Sequence, residues 1–290
     1  MSVGRFQNSG TEATFVADSG KRTTSYFGIS GQEDLGGGLS AVFGLESWLA
    51  ADSGAIIGSG TFARRANVGL KGSYGTVLLG NNPTALFVQA LLFAPYANSQ
   101  GLSPTQRFLY SRYASVEGGS VWQNSIQYQS PTINGFSGTL SAALKEASGG
   151  DNSYGASLYY SSGPLAAGLA YQNWRVGTSR QNTYLLGASY DFSALKLYGQ
   201  FGRVNGIAHG DDQRYGQIGA RVPAGPGAFL ASFGHTKIDA STARSTVKTL
   251  TVGYDYALSK KTDIYLTGMY DKLSTAAAGT TYLVGLRHNF

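Results

Sequence analysis

The sequence has no cysteine, few charged residues and no long apolar run, and each absence excludes a class of protein. Without cysteine there is neither a disulfide nor a thiolate metal site. Only 13% of the 290 residues are charged, and no stretch reaches the run of about 18 apolar residues that a transmembrane helix requires. The 22 basic and 16 acidic residues are scattered, with no basic tract of the kind that binds nucleic acid. We therefore predict no nucleic-acid partner.

Glycine and tyrosine are abundant instead, with 41 and 19 residues. Apolar residues alternate with small or polar ones, as in residues 39–51, where Leu39, Phe43 and Leu45 occupy odd positions and Ser40 and Glu46 even ones. A period of two is expected of a sheet with one apolar and one polar face. This composition and pattern predict an all-β protein.

The alternation predicts fifteen strands. They cover residues 23–31, 39–51, 64–72, 76–80, 122–129, 136–146, 153–162, 165–176, 183–192, 195–204, 214–222, 228–239, 245–258, 263–273 and 280–290. Residues 1–22 are polar and rich in turns, and we interpret them as mostly loop. Tight turns alternate with longer polar connections along the chain, which is typical of an outer-membrane barrel. A soluble sandwich, the alternative, has no need of this regularity.

An odd number of strands does not close an all-antiparallel barrel, because its first and last strands pair antiparallel only when the number is even. We therefore predict a sixteen-stranded barrel whose first strand is missing from this chain, with residues 1–6 as its stub. Residues 1–10 also lack the apolar core of a signal peptide, which predicts a mature or trimmed chain.

Residues 81–119 form the one long segment without strand alternation. The segment carries six aromatic residues: Phe87, Phe93, Tyr96, Phe108, Tyr110 and Tyr113. Connections of this length are usually functional, and residues 85–93 could form a short helix. We predict a loop that folds into the mouth of the barrel and narrows it. A surface excursion or a loop that contacts a partner is the alternative.

Several stretches resemble the trimeric general-diffusion porins of Gram-negative outer membranes. They read GQEDLGGGLSAVFGLES, FARRANVGLKGSYGTVLLG, NSIQYQSPTINGFSG, LGASYDFSALKLYGQF, VGYDYALSKKTDIY and, at the end, VGLRHNF. The resemblance runs from about residue 23 to residue 290 and is weakest in the long loops. It implies one sixteen-stranded barrel domain over residues 1–290, three to a trimer, with the third external loop, residues 81–119, folded inward as a constriction. It also implies a first strand that ends near Met1.

The resemblance further implies which residues line the pore. Relatives of the anion-selective branch carry wall arginines, which are kept here as Arg64 and Arg65, whereas Tyr26 and Val121 stand at positions that are basic in those relatives. Parity alone places Arg65 on the polar face, with Asn67 and Lys71. The basic set is thinned, so we predict a weak to moderate anion preference. The predicted pore and constriction residues are Arg64, Arg65, Glu46, Lys71, Arg107, Arg112, Glu117 and Tyr26.

The last strand ends on an aromatic residue, and four residues of one face have a predicted role in assembly. These are Tyr282, Val284, Leu286 and Phe290. The resemblance implies that such an ending is recognised by the outer-membrane assembly machinery. Phe290 is also the kind of residue that fills an interfacial aromatic girdle.

We find no pattern that indicates an enzyme. The histidines are His209, His235 and His288, and nothing in their spacing proposes a nucleophile–histidine–acid site. We see no metal-ligand cluster and no phosphate-cradling loop, so we predict neither a cofactor nor a metal.

The sequence predicts a water-filled passive channel in the outer membrane of a Gram-negative bacterium, which conducts small hydrophilic solutes and ions. Its expected partners are two further copies in a homotrimer, outer-membrane lipid and lipopolysaccharide. Two alternatives stay open. One is a substrate-specific channel for a small organic anion or sugar, with Tyr and Trp of the loop as a binding track. The other is an adhesive or structural barrel.

Overall fold

The computed structural model describes residues 1–113, 115–145, 151–176, 179–206, 212–240 and 244–290. Glu146, the predicted end of a strand, and His209 lie outside the described residues. So do residues 147–150, 177–178, 207–211 and 241–243 of the predicted loops.

The described residues form eighteen strands and two short helices. The strands are β1 (Ser2–Phe6), β2 (Thr14–Asp18), β3 (Ser25–Gly36), β4 (Leu39–Ala50), β5 (Ala55–Ile57), β6 (Arg65–Gly72), β7 (Gly75–Pro83), β8 (Val121–Gln129), β9 (Phe136–Ala143), β10 (Ser153–Ser162), β11 (Leu165–Val176), β12 (Ser179–Asp191), β13 (Lys196–Asn205), β14 (Asp212–Ala224), β15 (Gly227–Asp239), β16 (Arg244–Ala257), β17 (Thr262–Leu273) and β18 (Gly279–His288). The helices are α1 (Ala85–Leu92) and α2 (Pro104–Leu109).

All fifteen predicted strands are present, which confirms the all-β class. The prediction that residues 1–22 are mostly loop did not include two short strands that lie there, β1 and β2, of five residues each. A pattern of period two is weak over five residues. Strand β1 forms by pairing with β18, far along the chain, and β2 by pairing with β1. The short β5 was also missed, and β7 continues to Pro83, so the long connection begins at Thr84 rather than at Asn81.

The strands form one antiparallel sheet. The ladder runs in chain order from β3 to β18, with β5 lying beside β4 alone, and β18 then pairs with β1 and β1 with β2. Ser2 of β1 lies opposite both Gly285 and Asp18. Among the described residues no register joins β2 to β3, so the hydrogen-bonded ladder is not closed. The count therefore differs from the sixteen strands predicted.

The apolar face of the sheet is exposed and the polar face is buried, which is the reverse of a soluble protein. In β14, Gln213 and Gln217 are buried, whereas Ile218 is 67% exposed. Leu186 on β12 and Leu266 on β17 are likewise exposed. An apolar outer face and a polar inner face are the arrangement of a barrel surrounded by lipid. In the described part of the chain, neither helix is long and apolar enough to cross a membrane.

The long connection between β7 and β8 packs on the polar face. Helix α1 contacts β9 to β12, and α2 contacts β14 to β16. Leu86 and Phe108 of the connection form a buried cluster with Leu185 and Tyr215 of the wall, and Phe108 stacks on Tyr215 with ring centroids 4.9 Å apart. The largest apolar core thus lies between the connection and the wall.

Candidate functional site

Glycines of the polar face give the long connection room to approach the wall. A Cβ atom added at Gly187 would lie 2.2 Å from the ring of Phe93, and one at Gly234 would lie 2.5 Å from Pro104. Real Cβ atoms do not approach other atoms so closely. The connection therefore packs against bare backbone at these two points.

Arg107 of α2 ties the connection to the wall. Its Nη2 atom lies 2.7 Å from Oδ2 of Asp271, and its Nη1 atom donates hydrogen bonds to Oδ1 of Asn8 and to the carbonyl of Gly101. Arg107 is 1% exposed and Asp271 is fully buried. Arg107, predicted as a pore residue, therefore presents little charge to the open lumen, because Asp271 neutralises it within the packed wall.

A second buried arginine, Arg22, holds the middle of the connection. Its Nη2 atom lies 2.7 Å from Oδ2 of Asp255, and its guanidinium carbon lies 5.1 Å from the ring centroid of Tyr96. Tyr96 is fully buried, and burial raises the pKa of its phenol, which stays neutral. Sequence reasoning missed Arg22 because residues 1–22 were interpreted as mostly loop.

Four of the predicted pore residues form one cluster on the wall. Glu46 of β4 lies directly opposite Arg65 of β6. The Oε1 atom of Glu46 lies 3.0 Å from Nη2 of Arg65, and its Oε2 atom accepts a hydrogen bond of 2.8 Å from Nε of Arg64. The Arg64 guanidinium also lies 3.8 Å from the ring centroid of Tyr26. Two cations around one carboxylate leave the cluster with a net charge of one positive unit.

Arg112 lies at a different place, on a cavity between the connection and the wall. The cavity has a volume of about 400 Å³, and Lys21, Asp18 and Asp52 also line it. Lys21 pairs with Asp18 at 2.9 Å, and Arg112 donates a hydrogen bond to the carbonyl of Ser9. The Ser19 hydroxyl donates a hydrogen bond to Asp52 and lowers the pKa of that carboxyl below its usual value. Both signs of charge therefore face this cavity.

The two remaining predicted pore residues, Lys71 and Glu117, are exposed and lie apart from the Glu46 cluster. Lys71 is on the same strand as Arg65, but six residues along a strand span about 20 Å. The backbone amide of Glu117 donates to Oε1 of Gln181.

Asp271 was not predicted from the sequence as a functional residue. One feature of the sequence could have indicated it: Asp271 is an acidic residue on the same face of β17 as Thr267 and Met269, and that face is the inner one.

The order of the strands, the polar inner face and the long connection packed on it agree with one family of proteins. The model of the Gram-negative porin family matches residues 1–276. The chain belongs to this family. It is 33% identical over 262 residues to outer membrane porin protein 32 of Delftia acidovorans, a match that covers 84% of this chain and 73% of that protein.

Solved structures of other outer-membrane proteins share the fold. An anion-selective porin from Comamonas acidovorans superposes with a TM-score of 0.81 at 25% sequence identity, over 100% of this chain and 99% of that one. The trimer form of OmpT from Vibrio cholerae has a TM-score of 0.72 at 12% identity, over 100% and 97% of the two chains.

The chain is therefore a porin of the Gram-negative outer membrane, a water-filled channel through which small hydrophilic solutes diffuse. The predicted family, location and passive-channel function are confirmed. The relatives are channels and not enzymes.

Proposed function

We propose that the pore prefers anions weakly and that residues 81–119 form its constriction. The Glu46 cluster carries the proposal, since one carboxylate faces the two guanidinium groups of Arg64 and Arg65. The side chain of Arg65 is 31% exposed, so its field reaches the solution. Inside a narrow passage with low-dielectric walls, such a charge raises the local concentration of anions.

The preference is weak because two other cations beside the long connection are each paired with a carboxylate. Arg107 is neutralised by Asp271, and Lys21 pairs with Asp18. The Comamonas acidovorans relative is called anion-selective. The resemblance to anion-selective relatives implies basic residues at two positions that hold Tyr26 and Val121 in this chain.

We further propose that the porin is a homotrimer without enzymatic activity. One structural relative is a trimer form, and the exposed apolar outer face offers surface both for other subunits and for lipid or lipopolysaccharide. Tyr282, Val284 and Leu286 are exposed together on the outer face of β18, and Phe290 is fully exposed. We propose this row as the signal that the assembly machinery reads.

Reversal potentials in a salt gradient across a planar bilayer test the ion preference. We expect a small anion preference in the native pore, a shift toward cations in Arg65→Ala and a shift toward anions in Glu46→Gln. Arg203→Ala is the control, because Arg203 pairs with Asp212 near the end of β13 and lies on the face opposite to Gln200. A cation preference in the native pore would refute the proposal, as would identical potentials in the two cluster variants.

A substrate-specific channel is the second candidate function. The predicted binding track cannot contain loop tryptophans, because residues 81–119 have none. The tryptophans lie elsewhere, around a single cavity.

A further inference from the structure

All three tryptophans of the sequence lie around one cavity. Trp48 is near the end of β4, Trp122 near the start of β8 and Trp174 near the end of β11. The end of β4 and the start of β8 adjoin long connections, and the antiparallel order of the strands places the end of β11 on the same side. The cavity is therefore at the long-connection end of the sheet. Its volume is about 500 Å³, which is within the range of small-molecule sites.

The packing around two of the indoles holds them in place. The rings of Trp122 and Trp174 have centroids 5.7 Å apart and planes inclined by 34°. Trp122 is 2% exposed, and a Cβ atom added at Gly118 would lie 2.4 Å from the ring of Trp174. The Nε1–H group of Trp122 is buried without an acceptor among the described residues. An unpaired buried donor is costly, and an acceptor on a bound molecule is one way to satisfy it.

Charged groups adjoin the indoles. Arg175, Lys145 and Asp151 also line the cavity. The Nη1 atom of Arg175 lies 2.8 Å from Oδ2 of Asp151, and its Nε atom donates to Oδ1 of Asn173. Its Nη2 atom has no partner among the described residues. Two cations and one carboxylate leave these lining side chains with a net positive charge.

We propose that this cavity binds a small aromatic carboxylate. The aromatic ring stacks on the partly exposed indoles of Trp48 and Trp174. The carboxylate accepts charge-assisted hydrogen bonds from Arg175, and Lys145 adds attraction. A neutral sugar stacks on indoles as well, but it leaves both cations unused. This proposal rests on the second candidate function, a substrate-specific channel. It assigns small aromatic carboxylates as the class of organic anion that a porin with a weak anion preference would select.

Intrinsic tryptophan fluorescence is a direct test, because every tryptophan lines this cavity and the emission of the whole folded protein reports on it. Benzoate is titrated against the purified protein, with benzyl alcohol as the same ring without the charge and acetate as the charge without the ring. We expect a saturable change in emission with benzoate. Each analogue should bind at least about tenfold more weakly, the effect of one charge-assisted contact or one stacked ring.

Arg175→Gln separates recognition of the carboxylate from folding. It should weaken benzoate binding about five- to tenfold and leave benzyl alcohol unchanged. Arg203→Gln is the matched control, because Arg203 pairs with Asp212 at another strand end as Arg175 pairs with Asp151. A second variant, Trp174→Phe, should weaken benzoate and benzyl alcohol alike.

Three results would overturn the inference. They are quenching by benzoate that never saturates, equal binding of benzoate and benzyl alcohol, and equal titrations of Arg175→Gln and Arg203→Gln. Saturation by glucose but not by benzoate would overturn it too, in favour of a sugar site. Bilayer conductance of the same preparations keeps the questions apart. A protein that conducts ions but shows no saturable binding would refute only the proposed binding site. A protein that does not conduct would contradict the channel function.

Discussion

At the scale of single residues, the arginines differ in environment and therefore in effect. Arg107 and Asp271 form a pair inside the packed wall, whereas Arg64 and Arg65 share Glu46 at the edge of the lumen. Solvent-exposed pairs contribute little to stability, although their charge shapes the field around them. Removing one partner of a buried pair leaves the other charge without compensation.

Arg107→Ala should destabilise the porin by about 3–5 kcal/mol, because Asp271 would stay buried without its cation. Denaturant unfolding in detergent measures the loss. Arg112→Ala is the control, since Arg112 is exposed and makes one hydrogen bond to a carbonyl. Replacing both members by Arg107→Met and Asp271→Leu should restore much of the stability. Equal midpoints for the two single variants would show that the pair does not anchor the connection.

At the scale of elements, the connection between β7 and β8 has an ordered structure of its own. Thr84 caps α1, since its Oγ1 atom accepts a hydrogen bond of 3.1 Å from the amide of Phe87. Helix α2 begins with Pro104, whose missing amide hydrogen is unneeded at a helix start. The ring of Pro104 and that of Phe93 rest on wall glycines. The shape of the connection is thus matched to that of the wall.

Gly187→Val should displace the connection and change the single-channel conductance, because the new side chain would occupy the place of Phe93. Gly199→Val is the matched control on the neighbouring strand, since a Cβ atom there meets nothing within 4 Å. Both variants gain β propensity, so the strands themselves should form normally. Unchanged conductance in Gly187→Val would mean that the position of Phe93 does not control the passage.

Deleting residues 85–114 should raise the conductance markedly while the barrel still assembles. The deletion removes both helices together with the aromatic side chains that fill the polar interior. The strands retain their pairing with one another. Conductance in planar bilayers checks the first result, and resistance to unfolding in detergent checks the second. A deletion variant with native conductance would place the constriction elsewhere.

At the scale of the whole molecule, the protein is organised around a polar interior and an apolar outer face. The exposed apolar side chains extend over nearly all the strands, from Val3 on β1 to Leu286 on β18. Such a surface is stable only where lipid or another subunit covers it. The outer membrane supplies that environment.

Phe290→Ala should lower the amount of porin in the outer membrane and leave refolding from denaturant into detergent unchanged. Phe290 is fully exposed, so it contributes little packing to the fold, and its loss should act on recognition by the assembly machinery. Phe192→Ala is the control, because Phe192 is exposed at the same short-turn end of the sheet. Equal amounts of the two variants in the membrane would contradict the role of Phe290 in assembly.

The sequence alone was sufficient for the fifteen predicted strands, their two faces, the family and the long connection with its first helix. Alternation with a period of two is local, and it can be recognised in each strand without knowledge of its neighbours. The wall cluster was partly visible for the same reason, since parity places Arg65 on the polar face and Glu46 faces it from the adjacent strand.

Only the tertiary structure decided how distant parts of the chain meet. The pairing of β1 with β18, the partner of Arg107 on β17 and the meeting of three separate tryptophans depend on strands far apart in the chain becoming neighbours. The sequence pattern around an arginine on the connection is the same whether the side chain faces water or a buried aspartate. Its role follows from the burial and the partner that the folded sheet provides, and no local pattern contains either of them.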